Sequence, residues 1–433
     1  MNPRAFFALL CAATVVGSHA AAQTLDVIYD EAKVPKYSLP DPLVMNNGER
    51  VRDANTWTSR RRPEILEIYR TEMYGRSPER PAQLAFDVSS IEKRALGGRA
   101  VRKQVTISVE AGTAAPKMKA LIYLPTSAQK PVPLFLALSF AGNETVSADP
   151  GIILGDRWVR DAVTNEMVKQ RAPEASRGSS AQQWQLDQIL AHGYGLATIF
   201  YGDIEPDFVG GLKYGVRSVF LQPGQTEPAS ADWGAIAAWS WGLSRAMDFI
   251  VTDHDIDATR VAVMGHSRLG KAALWAGAQD TRFSIVISNE SGEGGAAISR
   301  RLYGERTKDL NTRFPHWFDG NFKKYSEHED QMPFDSHMLL ALIAPRALYV
   351  ASAEQDRWSD PRGEFLGAVN AGPVYELLGE RAISADAMPG LHQPVGHTVM
   401  YHLRAGKHDV TAYDWEQYLK FADMQWGRKP DCR

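Results

Sequence analysis

The run Arg260-Val-Ala-Val-Met-Gly-His-Ser-Arg-Leu-Gly-Lys271 reads as a strand ending at Met264, a turn carrying Ser267, and a helix starting near Arg268. A tight strand-to-helix turn pushes a serine hydroxyl out above a sheet, where it can attack a carbonyl carbon. Gly265 and Gly270 let strand and helix come close, although the second glycine stands one position later than in the common Gly-x-Ser-x-Gly spacing. A serine nucleophile needs a base. Histidines stand at 392, 397, 402 and 408, and His408, in Gly406-Lys-His-Asp409, directly precedes a helical pattern over 413–421. That is the place of the base when the chain order is serine, acid, histidine; His392, His397 and His402 read as ordinary hydrogen-bonded histidines. Two carboxylates qualify as the acid. Glu290 in Ser288-Asn-Glu-Ser-Gly292 and Asp356 in Ala353-Glu-Gln-Asp-Arg-Trp358 each close a predicted strand. Either can fix the imidazole tautomer and stabilise its cation, and spacing leaves both open. Arg268 follows the serine, so its backbone N–H and its guanidinium are candidates for the developing oxyanion, where one preorganised donor is worth on the order of 10²–10³ in rate. Lys271, four residues beyond Ser267, shares its helix face.

These residues need a scaffold that brings distant segments together. Alternating apolar residues (Val101, Val105, Ile107, Val109) predict a strand over 99–109. Short apolar runs at 120–124, 134–140, 195–201, 261–264, 285–287 and 348–351 fit strands buried on both faces. Helical patterns cover 62–74, 232–252 and 267–278. Strands alternating with helices predict an α/β fold: one doubly wound, mostly parallel sheet with helices on both faces, the α/β-hydrolase architecture. Segments 148–180 and 300–334 fit the alternation poorly and are expected to be insertions around the site. No repeat or low-complexity linker interrupts the chain.

Residues 1–22 read as a signal peptide, with Arg4, an apolar run over 5–16 and small residues at 18–22, so 23–433 is expected to be a single catalytic domain that is secreted or periplasmic. The apolar run is too short to span a bilayer. Formal charge is −3 from 48 basic and 51 acidic residues, which gives no reason to expect nucleic acid or anionic membrane as partners. Of two cysteines, Cys11 leaves with the signal and Cys432 sits near the end, so no internal disulfide is expected. No His-Glu-x-x-His or comparable spacing occurs, and neither metal nor cofactor is expected.

Taken together, Gly265-His-Ser-Arg-Leu-Gly-Lys271, Asn289-Glu-Ser-Gly292, Tyr201-Gly-Asp-Ile-Glu-Pro-Asp207 and Gly406-Lys-His408 resemble the bacterial glucuronoyl esterases of carbohydrate esterase family 15. The resemblance implies cleavage of the ester between 4-O-methyl-glucuronic acid on xylan and lignin alcohols, with no cofactor, by a chain expected to act as a monomer. It implies Ser267 as nucleophile, His408 as base and Arg268 as oxyanion stabiliser. Glu290 matches the acid of fungal members and is expected to be the main partner, with Asp356, the position used by other bacterial members, secondary. Lys271, Glu305 and Trp358 resemble uronate-binding positions; a fungal glutamine has no counterpart in 296–301. Other functions considered are an acetyl xylan or pectin deacetylase on the same fold and a non-catalytic polysaccharide-binding relative.

Overall fold

Leu134, Leu136 and Leu138 pack into one hydrophobic core, while Phe135 and Ala137 between them pack into another. The same alternation holds for Val261 and Val263 against Ala262 and Met264, and for Leu348 and Val350 against Tyr349 and Ala351. Successive side chains of a strand point to opposite faces, so an unbroken apolar run is what a strand covered on both sides requires. The computed structural model describes residues 27–109, 115–384 and 387–427. The expected signal peptide, Cys11 and Cys432 lie outside the described residues.

The strands are β1 (Ala85–Arg94), β2 (Ala100–Ser108), β3 (Lys117–Pro125), β4 (Val132–Ser139), β5 (Asp156–Arg160), β6 (Met167–Arg171), β7 (Gly195–Phe200), β8 (Ile256–His266), β9 (Ile285–Asn289), β10 (Ala347–Ala353), β11 (Val395–Gly396) and β12 (Val399–Arg404). Ten form one sheet in the order β1-β2-β3-β7-β4-β8-β9-β10-β12-β11. From β7 to β12 the neighbours run parallel; β1, β2, β3 and β11 join antiparallel at the flanks. Helices α1 (Arg62–Glu72), α2 (Ala235–Ile250), α3 (Arg268–Gln279) and α4 (Pro361–Leu377) contribute to one core, and α5 (Ala412–Gln425) to the other. This is the α/β-hydrolase architecture that the alternation predicts. A buried Val, Leu or Ile contributes about 1.5–3 kcal/mol, so the two cores supply the main apolar stabilisation of the described chain.

Two departures from the sequence pattern have physical causes. Arg102, Lys103 and Gln104 in β2 are buried beside the expected apolar face, because Arg102 pairs with Asp149 at 2.5 Å and Lys103 with Asp253 at 2.7 Å. The strand β1 carries little periodicity since most of its residues face solvent. Of the two expected insertions, 148–180 holds the antiparallel ribbon β5–β6, and 300–334 folds into short helical turns. Among the described residues no helix is long and apolar enough to cross a membrane.

Candidate active site

Ser267, Glu290, Asp356 and His408 follow the carboxyl ends of four neighbouring strands, β8, β9, β10 and β12. Parallel pairing aligns those ends, so residues far apart in sequence arrive at one rim. Ser267 has φ 56° and ψ −131°, a conformation that costs a non-glycine residue on the order of 1–3 kcal/mol. The turn is held by the Ser267 N–H donating to Asn289 O at 2.9 Å. Its tightness explains Gly265: a Cβ there would lie 1.9 Å from Leu269 O. At Gly270 a Cβ would meet Ser291 Cβ at 3.0 Å, which accounts for the displaced second glycine, since Leu269 before it is buried in the core. Arg268 is the first residue of α3, so its backbone N–H has no acceptor within the helix.

The imidazole Nδ1 of His408 meets both candidate acids, Asp356 Oδ2 at 2.6 Å and Glu290 Oε2 at 3.1 Å. The sequence ranks Glu290 first; the shorter contact belongs to Asp356. Glu290, itself at φ 49°, is also held by Arg404 Nη2 at 2.5 Å and by the Asp409 N–H at 3.1 Å. Arg404 further donates to the carbonyls of Lys407 and Asp409 and to Asp414, so one buried guanidinium fixes both Glu290 and the loop that carries His408. Burial pushes the Glu290 carboxyl up to about 7, with His408 and Arg404 opposing only in part. For Asp356 burial also opposes ionisation, but the His408 bond and charge outweigh it and its value falls below the ordinary range. Burial alone would depress His408; the bonds to Asp356 and Glu290 and their charges overcome it and raise the ring to about 9.

On the other side of the serine, Arg268 Nη1 donates to Asp207. The guanidinium lies 4.7 Å from the ring centre of Trp317 and 5.3 Å from that of Phe314, both from the 300–334 insertion. Lys271, which the family resemblance marks as a uronate-binding position, is buried. Its ammonium donates to Ser291 O at 2.6 Å and lies 3.7 Å from Glu305; burial lowers its pKa, with Glu305 opposing. The Glu305 N–H donates to Trp358 O at 2.8 Å, and the Trp358 ring faces Arg313 at 5.4 Å. Lys271, Glu305 and Trp358 therefore form one connected group.

Several residues of the site escaped the sequence reading. His266, inside the elbow, lies 4.4 Å ring to ring from His408 and bonds Asn289 Oδ1 at 2.6 Å; burial, then the nearby His408 charge, lower it to about 4, so it is neutral at pH 7. Arg404, His316 and Trp317 likewise emerge only from packing, and Asp207, which the family motif contains without assigning it a role, gains its place at the site from packing too. His402 is buried between Tyr349 and Asp414, a hydrogen-bonded histidine as expected. Among the described residues the one group of side chains spaced to hold a metal ion is His266, Glu290 and His408, whose ligand atoms lie within 4.8 Å of one another. These are the histidine–carboxylate cluster itself.

A parallel sheet that presents an elbow serine, a histidine and carboxylates at its strand ends has the arrangement of an α/β-hydrolase. A family model of the fungal glucuronyl esterases matches residues 228–379. The chain is similar to the glucuronoyl esterase from Solibacter usitatus, with 63% identity and a TM-score of 0.88 over 92% of this chain and 100% of that one. A promiscuous family 15 esterase from a marine bacterial metagenome shares 50% identity with a TM-score of 0.85, again over 92% and 100%. A carbohydrate esterase from an unknown prokaryotic organism is 50% identical over 402 residues, 93% of each chain. The chain belongs to the glucuronoyl esterases, carbohydrate esterase family 15, and is a carboxylic ester hydrolase.

Proposed function

We propose that this enzyme hydrolyses the ester between the carboxyl of (4-O-methyl-)glucuronic acid and an alcohol, with xylan esterified to lignin as its natural substrate. His408 takes the proton of Ser267 as the hydroxyl attacks the uronate carbonyl. The tetrahedral oxyanion is met by the Arg268 N–H and guanidinium. The imidazolium returns its proton to the departing alcohol, leaving an acyl-serine. Water, deprotonated by the same histidine, then releases the uronic acid and restores Ser267. Asp356 and Glu290 share the task of orienting Nδ1–H and balancing the imidazolium; the shorter contact of Asp356 makes it at least an equal partner of Glu290.

The observation that carries the uronate reading is the buried Lys271–Glu305 pair, one helical turn beyond Ser267 and joined by backbone to Trp358. Burying an ammonium and a carboxylate is costly unless they are paired, and a pocket for an acetyl group needs neither. With Trp358 they offer a sugar acid donors, acceptors and an apolar face. We further propose that the enzyme is exported, on its N-terminal sequence, and acts as a monomer.

The test is release of alcohol from benzyl glucuronate beside release of acetate from acetylated xylan. Preference for the glucuronate is expected; preference for acetate would make the enzyme a deacetylase. Ser267→Ala should abolish turnover of both while sugar binding persists, and a variant that kept much of the wild-type rate would exclude this mechanism.

A further inference from the structure

The segment Tyr201-Gly-Asp-Ile-Glu-Pro-Asp207 marks the family but has no part in the chemistry so far. Its last residue lies behind the oxyanion side of the site. The Asp207 side chain is 4% exposed and receives four donors. Oδ2 accepts from Arg268 Nη1 and from Tyr201 OH at 3.3 Å; Oδ1 accepts from His316 Nε2 at 2.9 Å and from Trp317 Nε1 at 2.7 Å. An ionised carboxylate has about four lone-pair sites, so its rotation is fully specified. The carboxyl is driven down to about 2: burial opposes this, but the His316 bond and the Arg268 charge prevail.

Seen from Arg268, the partnership is one-sided. Among the described residues Asp207 is the only hydrogen-bond partner of its guanidinium, and Arg268 Nε is buried without any. The other restraints are aromatic faces: Trp317 at 4.7 Å, Phe314 at 5.3 Å and Phe140 at 5.9 Å. Ring faces hold the guanidinium in a plane through cation–π attraction, but they do not fix its rotation within that plane. A directional bond at one nitrogen does.

We propose that Asp207, braced by His316 and Trp317, is the positioning residue that sets the orientation of Arg268 toward the oxyanion. An oxyanion donor gains its effect by being aimed before charge develops. A long side chain with one anchor loses that aim when the anchor is lost, while its charge stays in place. The inference rests on the reading of Arg268 as a transition-state donor, and the experiment separates the two.

Steady-state kinetics on benzyl glucuronate are measured for the wild type, Arg268→Ala, Asp207→Asn and the double variant, with thermal melting of each. Asp207→Asn should lower kcat on the order of 10–100-fold, by analogy with the loss of the hydrogen-bond partners that orient metal ligands, with little change in KM. In the Arg268→Ala background the same substitution should have no further effect on kcat. An equal fold-loss in both backgrounds would make Asp207 a scaffold residue. An unchanged kcat in Asp207→Asn beside a severe loss in Arg268→Ala would overturn the positioning role and leave the arginine's. Should Arg268→Ala itself keep kcat, both readings fall. If Asp207→Asn does not fold, Trp317→Phe and His316→Leu each remove one donor to Asp207, and the proposal requires a smaller kcat loss that likewise disappears without Arg268.

Discussion

On the histidine side of Ser267 one ring nitrogen meets two carboxylates, Asp356 at 2.6 Å and Glu290 at 3.1 Å; on the arginine side one carboxylate, Asp207, meets four donors. The first side has acceptors to spare. Removing one leaves the His408 Nδ1–H with the other, and Glu290 is independently fixed by Arg404. The second side has no reserve. Losing its carboxylate strands a guanidinium, an imidazole and an indole N–H in a largely buried place, and each unsatisfied donor costs about 1–3 kcal/mol. The two sides also differ in origin. The first stands on the ends of adjacent parallel strands, whereas Asp207, His316 and Trp317 come from loops.

The sharpest way to break this comparison is to remove both acids. Asp356→Ala with Glu290→Ala should cost kcat on the order of 10⁴, as for the loss of a sole triad acid, while each single change costs much less; a single change as damaging as the pair would end the idea of a shared role. Next in size, Arg268→Ala should lower kcat on the order of 10²–10³ with a modest effect on KM. A change confined to KM would assign Arg268 to ground-state binding. Lys271→Ala should reduce the preference for benzyl glucuronate over acetyl esters on the order of 10–100-fold, the worth of one charged hydrogen bond. Equal losses on both substrates would make Lys271 structural.

The smallest expected effect lies on the pH axis. Both carboxylates raise His408, which stands at about 9, and only the form with a free Nε2 can accept the serine proton. Activity should therefore climb with pH through that ionisation. Taking away Asp356 (Asp356→Asn) removes an upward influence, so the acid limb of kcat/KM should move to lower pH; Glu290→Gln should move it in the same direction. A limb that stays fixed in both variants would have to belong to another group.

The elbow and His408 were legible because their signals are local: an apolar strand running into Gly-His-Ser, and a Gly-Lys-His turn ahead of a helix. The strand before His408 was less visible. In β12 the polar His402 and Arg404 are buried, and their mutual tie to Asp414 replaces the apolar run that marks the other inner strands. The ranking of the acids depends on tenths of an ångström between two strand ends, which no spacing encodes. Arg404 and Asp207 act across 114 and 61 residues of chain respectively, and nothing in their own neighbourhoods points to the partner. The signal for Asp207 lay only in the family motif that contains it.

Two acids on one nitrogen also have a consequence for descent. Where a single carboxylate orients the base, moving that task directly to another strand passes through a chain with neither acid, unless the second acid is gained before the first is lost. A chain like this one lies between those arrangements. If the two acids share the task as proposed, either Asp356 or Glu290 can be lost with activity kept. On that reading, a site with its acid only after β9 and a site with its acid only after β10 each stand one substitution from this chain.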